Sequence, residues 1–249
     1  MVQQEKRLTK KQKRILRQQG ILQEENEPKL GFKINNVQPL TDNQQLAFDA
    51  FDRGKNLLLH GMAGTGKTFI SMYLGLSDVT SPIGDHNKLV IVRSVVPTRD
   101  MGFLPGNSKE KAAVYEAPYS IIATELFNRG DAYQILKQKN LIEFISTSFI
   151  RGTTLNDCIV IVDEVSNMTL HELDSVITRM GKNCRVIFSG DFRQSDLTKE
   201  QERNGLKDFM RILNNMKSFE YVEFDENDIV RSGLVKEYII AKDRLKIHT

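Results

Sequence analysis

The strongest constraint on this chain is a junction: the apolar run NLLLH at 56–60 passes directly into GMAGTGKT at 61–68 and continues as FISMYLGL. Gly61, Gly66, Lys67 and Thr68 meet the spacing G-x-x-x-x-G-K-[ST] of a loop that wraps a polyphosphate. Each residue type has a physical reason. Glycines at 61, 64 and 66 allow the backbone to close around an anion, so that successive N–H groups and the start of the next helix face its phosphates. Gly61, Met62, Ala63, Gly64, Thr65, Gly66, Lys67, Thr68 and Phe69 are therefore the expected nucleotide contacts. Lys67 would bring positive charge to the β- and γ-phosphates, and the Thr68 hydroxyl would ligate Mg²⁺.

The rest of the sequence extends that strand-and-helix order. Apolar strand runs at 56–60, 88–94, 141–146, 158–163, 185–190 and 219–224 alternate with helical stretches at 42–53, 67–77, 109–127, 170–180, 203–215 and 233–245. Strands that are apolar throughout belong between two helical layers, so the expected fold is three-layer α/β/α with a mainly parallel central sheet. A length of 249 residues suits one large domain. The expected division is a basic N-terminal arm and linker at 1–39 and a globular domain at 40–249. Residues 1–29 carry eight Lys and Arg against four Glu, although the whole chain has a net charge of only +3. This predicts a helical arm suited to an anionic partner on a near-neutral body. No apolar run approaches the roughly 18 residues of a membrane span, which predicts no membrane partner. Cys158 and Cys184 sit in apolar runs without a disulfide or zinc pattern, and are expected as small core residues in a reducing, cytoplasmic compartment.

Two further strands end in chemistry. CIVIVDE at 158–164 delivers two carboxylates: Asp163 is placed to hold Mg²⁺, and Glu164 to orient and deprotonate the attacking water. RVIFSGDFRQSDL at 185–197 brings Ser189, Asp191 and Gln194 beside the first two groups if this strand runs between them. Gln194 is then placed to sense the γ-phosphate. Ahead of the loop, PLTDNQQLAF opens a helix on Thr41 or Asp42, and Gln44 offers one donor and one acceptor to the edge of adenine. A carboxylate that activates water suits hydrolysis of ATP better than transfer to a small acceptor.

With these elements in order, the chain resembles the PhoH family of RecA-like ATPases, which are related to superfamily 1 helicases. The resemblance rests on VRSVVPTRDMGFLPG at 92–106, FIRGTTLNDCIVIVDEVSNMT at 149–169 and DIVRSGLV at 228–235. It implies a RecA-like P-loop NTPase fold in a short, ATPase-only form, Mg-dependent ATP hydrolysis, and RNA or single-stranded DNA as a partner, with helicase or translocase activity as the finer expectation. In related helicases the loop holding Arg93, Pro97, Thr98, Arg99 and Phe103 grips the sugar-phosphate backbone, and Arg151 joins it. Cations beside an aromatic ring suit single strands. There are departures from the family pattern: Val165 and Ser166 stand where Ala-Gln is usual, and Ser232 where His is usual.

A single RecA-like unit has no second domain to supply an arginine to the transition state. The resemblance accordingly implies a homo-oligomer, with a hexameric ring among its forms, in which Arg231 or Arg193 acts on a neighbouring copy's ATP. The implied location is the cytoplasm of a bacterial or phage-infected cell. Two alternatives stand beside this reading. One is a P-loop kinase of a small metabolite, which calls for an arginine-rich lid and an acceptor pocket. The other is a non-catalytic ATP-responsive binding module.

Overall fold

The computed structural model describes residues 30–95, 108–191 and 200–245. Its strands are β1 (Asn56–Gly61), β2 (Lys88–Arg93), β3 (Ile142–Ser146), β4 (Cys158–Asp163), β5 (Arg185–Gly190) and β6 (Phe219–Phe224). The helices are α1 (Asp42–Asp52), α2 (Lys67–Thr80), α3 (Ser108–Phe127), α4 (Ala132–Gln138), α5 (Leu170–Ile177), α6 (Glu200–Asn214) and α7 (Gly233–Arg244). The strands form one sheet in the order β3-β2-β4-β5-β1-β6, and every pairing is parallel.

The layering follows from the uniformly apolar strands. In β4, Ile159 and Ile161 join one hydrophobic core while Cys158, Val160 and Val162 join the other, because successive side chains leave a strand on opposite faces. The first face is covered by α1 to α4 through residues such as Ala47, Phe51, Met72, Leu76, Tyr119 and Leu136. The second is covered by α5 and α6 through Leu173, Val176, Leu206, Phe209 and Leu213. The three-layer α/β/α arrangement expected from the sequence is thus the one that forms.

An all-parallel sheet sends the segment after every strand to one edge, where ligands of such folds bind. β5 lies between β1 and β4, with Ser189 in register with Leu59 on one side and Asp163 on the other. The end of β5 therefore does come beside the glycine loop and the acidic pair.

Some details depart from the sequence pattern. Residues 30–39, expected as linker, pack on the first core: Leu30 is buried, Phe32, Ile34 and Val37 lie against it, and the Asn35 N–H donates to the Leu126 carbonyl at 2.7 Å. The short α4 is an additional helix. Cys184 precedes β5 rather than lying in it, and is half-buried with its Sγ 3.6 Å from that of Cys158. Burial and this neighbour push the Cys158 thiol up, so it stays protonated. Among the described residues no helix is long and apolar enough to cross a membrane. The basic arm at 1–29 lies outside them.

Candidate active site

The glycine loop joins β1 to α2. Gly61 has φ 129°, and a Cβ there would run into the Phe224 carbonyl, which accepts the Met62 N–H at 3.1 Å. Only glycine lets β1 leave the sheet so close to β6. At the far end of the loop, α2 starts from Gly66 with no side-chain cap, which leaves its first N–H groups without a side-chain acceptor. The Lys67 ammonium donates to the Gly61 carbonyl at 2.8 Å and the Met62 carbonyl at 2.6 Å, and lies 3.3 Å from Thr65 Oγ1. Its charge is held over the loop. Ala63 is exposed, whereas the Phe69 ring packs against the first core and leaves its N–H in the opening turn of α2.

Two segments brace this loop. Buried Gln44 donates from Nε2 to the Thr65 carbonyl at 3.1 Å and accepts the Leu40 N–H on Oε1 at 2.8 Å. The amide is oriented by the chain itself, and each of its two polar atoms keeps one further hydrogen-bonding site. On the other side, the Val230 N–H donates to the Gly64 carbonyl at 3.1 Å, and a Cβ on Gly64 would meet Arg231 Cγ at 2.9 Å. Arg231 thus rises, exposed, from the loop of its own chain.

At the end of β4 the Thr68 hydroxyl donates to Asp163 Oδ1 at 3.1 Å. The other carboxylate oxygen accepts from the Tyr119 hydroxyl at 2.9 Å, and Tyr119 has no solvent exposure. Burial, and next Asp163, push that hydroxyl far above the usual phenol range, so it remains a donor. Arg93, in register with Asp163, hydrogen-bonds Tyr119 and lies 5.9 Å from the centre of the Tyr115 ring. Burial works against its charge, but Tyr119, Glu164 and Asp163 more than offset it and hold the guanidinium firmly charged. Arg93, expected on the nucleic-acid loop, therefore sits beside the acidic pair.

Glu164 has φ 54° and ψ 45°, a left-handed conformation for a residue with a side chain. Such a residue costs on the order of 1–3 kcal/mol and persists where surrounding structure imposes it. The turn that follows Glu164 lies close against β5: a Cβ on Gly190 would meet Val165 Cγ2 at 2.7 Å and the Val165 nitrogen at 3.0 Å, so glycine there is what admits the turn. Next to it, the Ser189 hydroxyl is buried without a hydrogen-bond partner among the described residues.

The donor set fits Mg²⁺. A hydroxyl and a carboxylate in contact, with an unsatisfied hydroxyl on the adjacent strand, are hard oxygen ligands, and a nucleotide-bound Mg²⁺ takes one or two such groups alongside phosphate oxygens. Among the described residues no three His, Cys, Asp or Glu side chains gather into a cage of their own.

One residue draws the neighbouring segments together. Glu172 accepts on Oε1 from the Thr147 hydroxyl at 2.7 Å and the Ser94 hydroxyl at 3.3 Å, and on Oε2 from the Thr169 N–H at 2.9 Å. It thereby ties the segments leaving β2 and β3 to the start of α5, just after the acidic turn. Partial burial opposes its charge, but these donors outweigh it and hold the carboxyl below its ordinary range. Neither Tyr119 nor Glu172 is singled out by the sequence reading. Thr169-x-x-Glu172 ahead of an apolar periodic stretch is a capping-box signal that marks the second, while nothing local marks the first. Arg151 lies exposed in the turn beyond β3. Gln194, Arg193, Pro97, Thr98, Arg99 and Phe103 lie outside the described residues.

Comparison with known proteins gives the following similarities. A family model described as PhoH-like protein matches residues 36–242. A PhoH-like protein of Mycobacterium leprae is 31% identical over 218 residues, covering 85% of this chain and 60% of that protein. A PhoH-like protein of Bacillus subtilis is 32% identical over 185 residues, covering 74% of this chain and 57% of that protein. The chain thus spans little more than half the length of these relatives. Among solved structures, the large terminase of a thermophilic bacteriophage is 12% identical with a TM-score of 0.48, covering 81% of this chain and 50% of the terminase.

Proposed function

This chain belongs to the PhoH-like protein family, and from that premise we propose that it hydrolyses ATP with Mg²⁺ and couples turnover to RNA or single-stranded DNA. The observation that carries this reading is the convergence of Lys67 over the glycine loop with the Thr68–Asp163 contact and the strained Glu164 beside it. When bound, Mg²⁺ supplies charge stabilisation to the phosphates. The chain's own groups do the rest. Lys67 neutralises the β- and γ-phosphates, and Gln44 orients the adenine. Glu164 takes a proton from the water whose oxygen attacks the γ-phosphorus, while the bond to the ADP oxygen breaks and phosphate leaves. Gln194 senses the γ-phosphate, Pro97, Thr98, Arg99, Phe103 and Arg151 contact the single strand, and Arg93, held by Tyr119 beside Asp163, supports the acidic pair rather than the strand.

Assembly of identical copies belongs to the same reading. It is supported by α7, which buries no residue and leaves Leu234 80% and Tyr238 67% exposed next to the glycine loop. The stem of Arg231 on its own Gly64 supports a phosphate-sensing role within one chain, and action on a neighbour is the alternative. Mixing Arg231→Ala with unaltered chain separates them: turnover falling in proportion to the mixture marks the first, and disproportionate poisoning the second.

ATP turnover, measured with and without Mg²⁺ and with and without RNA or single-stranded DNA, tests the whole. Lys67→Ala should abolish it, and Glu164→Gln should lower it by roughly 10²- to 10⁴-fold while nucleotide binding persists. No turnover by the unaltered chain overturns hydrolysis. A rate indifferent to single strands overturns the coupling.

A further inference from the structure

We infer that the turn after β3 is a stacking platform for single-stranded nucleic acid, with Phe149 as its aromatic face and Arg151 as its phosphate contact. This rests on the nucleic-acid reading above and deepens it by a residue outside the loop that the family resemblance points to.

Phe149 is 70% exposed, although the short turn that carries it is anchored at both ends: Ile150 is fully buried in the second core, and two residues before the ring buried Thr147 donates to Glu172. The ring is therefore held outward by a fixed base. Keeping a phenylalanine in water forgoes the free energy of burying its ring, which a ligand with a flat apolar face can recover. The stretch TSFIRGTTLN at 147–156 contains no carboxylate, and its single charge is Arg151. Ser148 and Thr154 are exposed in the same turn, while the Thr153 hydroxyl donates to the Ile150 carbonyl at 2.7 Å and stiffens it. At Gly152 a Cβ would meet nothing within 4 Å, so the backbone there is open to approach.

This combination fits one ligand chemistry. An isolated aromatic ring set among hydroxyls and a cation is not the contiguous apolar patch that a protein partner covers. It matches a base stacked on a ring with its phosphate beside a guanidinium, as sequence-tolerant single-strand sites are built. The location agrees: Ser146, just ahead of the turn, is in register with Arg93, and Glu172 holds the base of the turn together with Ser94, where the segment after β2 begins.

The test is fluorescence anisotropy of the full chain with labelled oligo-dT and oligo-U, comparing Phe149→Ala, Phe149→Tyr and Arg151→Ala with the unaltered protein. Phe149→Ala should weaken binding of one or both oligomers by roughly 5- to 150-fold, the loss of one stacked base, with an unchanged thermal midpoint, and Phe149→Tyr should restore it. Arg151→Ala should reduce the salt slope by about one. Equal binding by Phe149→Ala overturns the platform alone. If Phe149→Ala instead lowers the sedimentation mass and leaves binding intact, the ring is a contact between copies and the platform is again overturned. Absence of binding by the unaltered chain overturns both the platform and the nucleic-acid reading.

Discussion

The hydroxyl of Tyr119 donates to Asp163 Oδ2 at 2.9 Å from a position closed to solvent, while Thr68 donates to the opposite oxygen of the same carboxylate. The carboxylate is held at both ends, one of them by a residue 44 positions away in the chain. Tyr119→Phe removes the donor and keeps the ring. A hydrogen bond to a charged group contributes about 1.5–3 kcal/mol. We expect the Mg²⁺ concentration for half-maximal turnover to rise at least several-fold, with nucleotide affinity in the absence of Mg²⁺ unchanged. A Mg²⁺ titration of turnover, paired with nucleotide binding in a chelator, checks both halves.

Gly190→Ala places a methyl group against Val165, at the foot of the turn that carries Glu164. Overpacking of this kind destabilises by about 1–3 kcal/mol, and here the displaced backbone is the acidic turn itself. Turnover should fall by more than the loss of folded protein accounts for, as seen by comparing rates with the denaturation curve at one temperature. A variant that is less stable but equally fast per folded molecule would show that the turn tolerates the shift.

Ser189→Ala separates stability from activity in the opposite sense. Its hydroxyl is buried beside Asp163 without a partner among the described residues, and an unmet buried polar group costs about 1–3 kcal/mol. The alanine variant should melt at the same or a higher temperature yet turn over ATP more slowly. Thermal melts without nucleotide, set beside the rate, decide the matter, and a drop in melting temperature would mean that the hydroxyl has a structural partner.

Glu172 gives a pH signature. Its folded carboxyl titrates below the ordinary value of about 4.3, so its contribution to stability is complete above that value and is lost as pH falls through the folded one. The melting temperature of Glu172→Gln should lie below that of the unaltered chain at neutral pH, and the two should converge in acid. Parallel melts from neutral pH down to about pH 3 would expose a constant gap, which would assign the effect to packing instead.

Much of this molecule is legible before its structure because its strands are buried on both faces. A run such as CIVIVD has no charged position before its terminal Asp163 to confuse its assignment, and all six of its residues are buried. The glycine loop and the acidic pair are local patterns and fall where the spacing puts them. Residues 30–39 were legible in principle: Leu30, Phe32 and Ile34 alternate as an extended segment lying on a core does, but a charged approach and Pro28 read as linker. The α4 helix is two turns between Gly130 and Asn140, too short for periodicity to declare. Tyr119 belongs to another class, because its role depends on α3 bringing its hydroxyl to the end of β4, a contact that no sequence window contains. Gln44 shows the converse: its residue type and place were readable, while its hold on Leu40 and Thr65 is a matter of packing.

The order of the sheet also works as a ruler. Between β1, which leads into the glycine loop, and β3, which leads into the Phe149 turn, stand β5, β4 and β2. At about 4.8 Å per strand these two exits are about 19 Å apart along the same edge. Ligands held at the two ends would therefore bind four strand widths apart, with Asp163, at the end of β4, and Arg93, at the end of β2, on the strands between them.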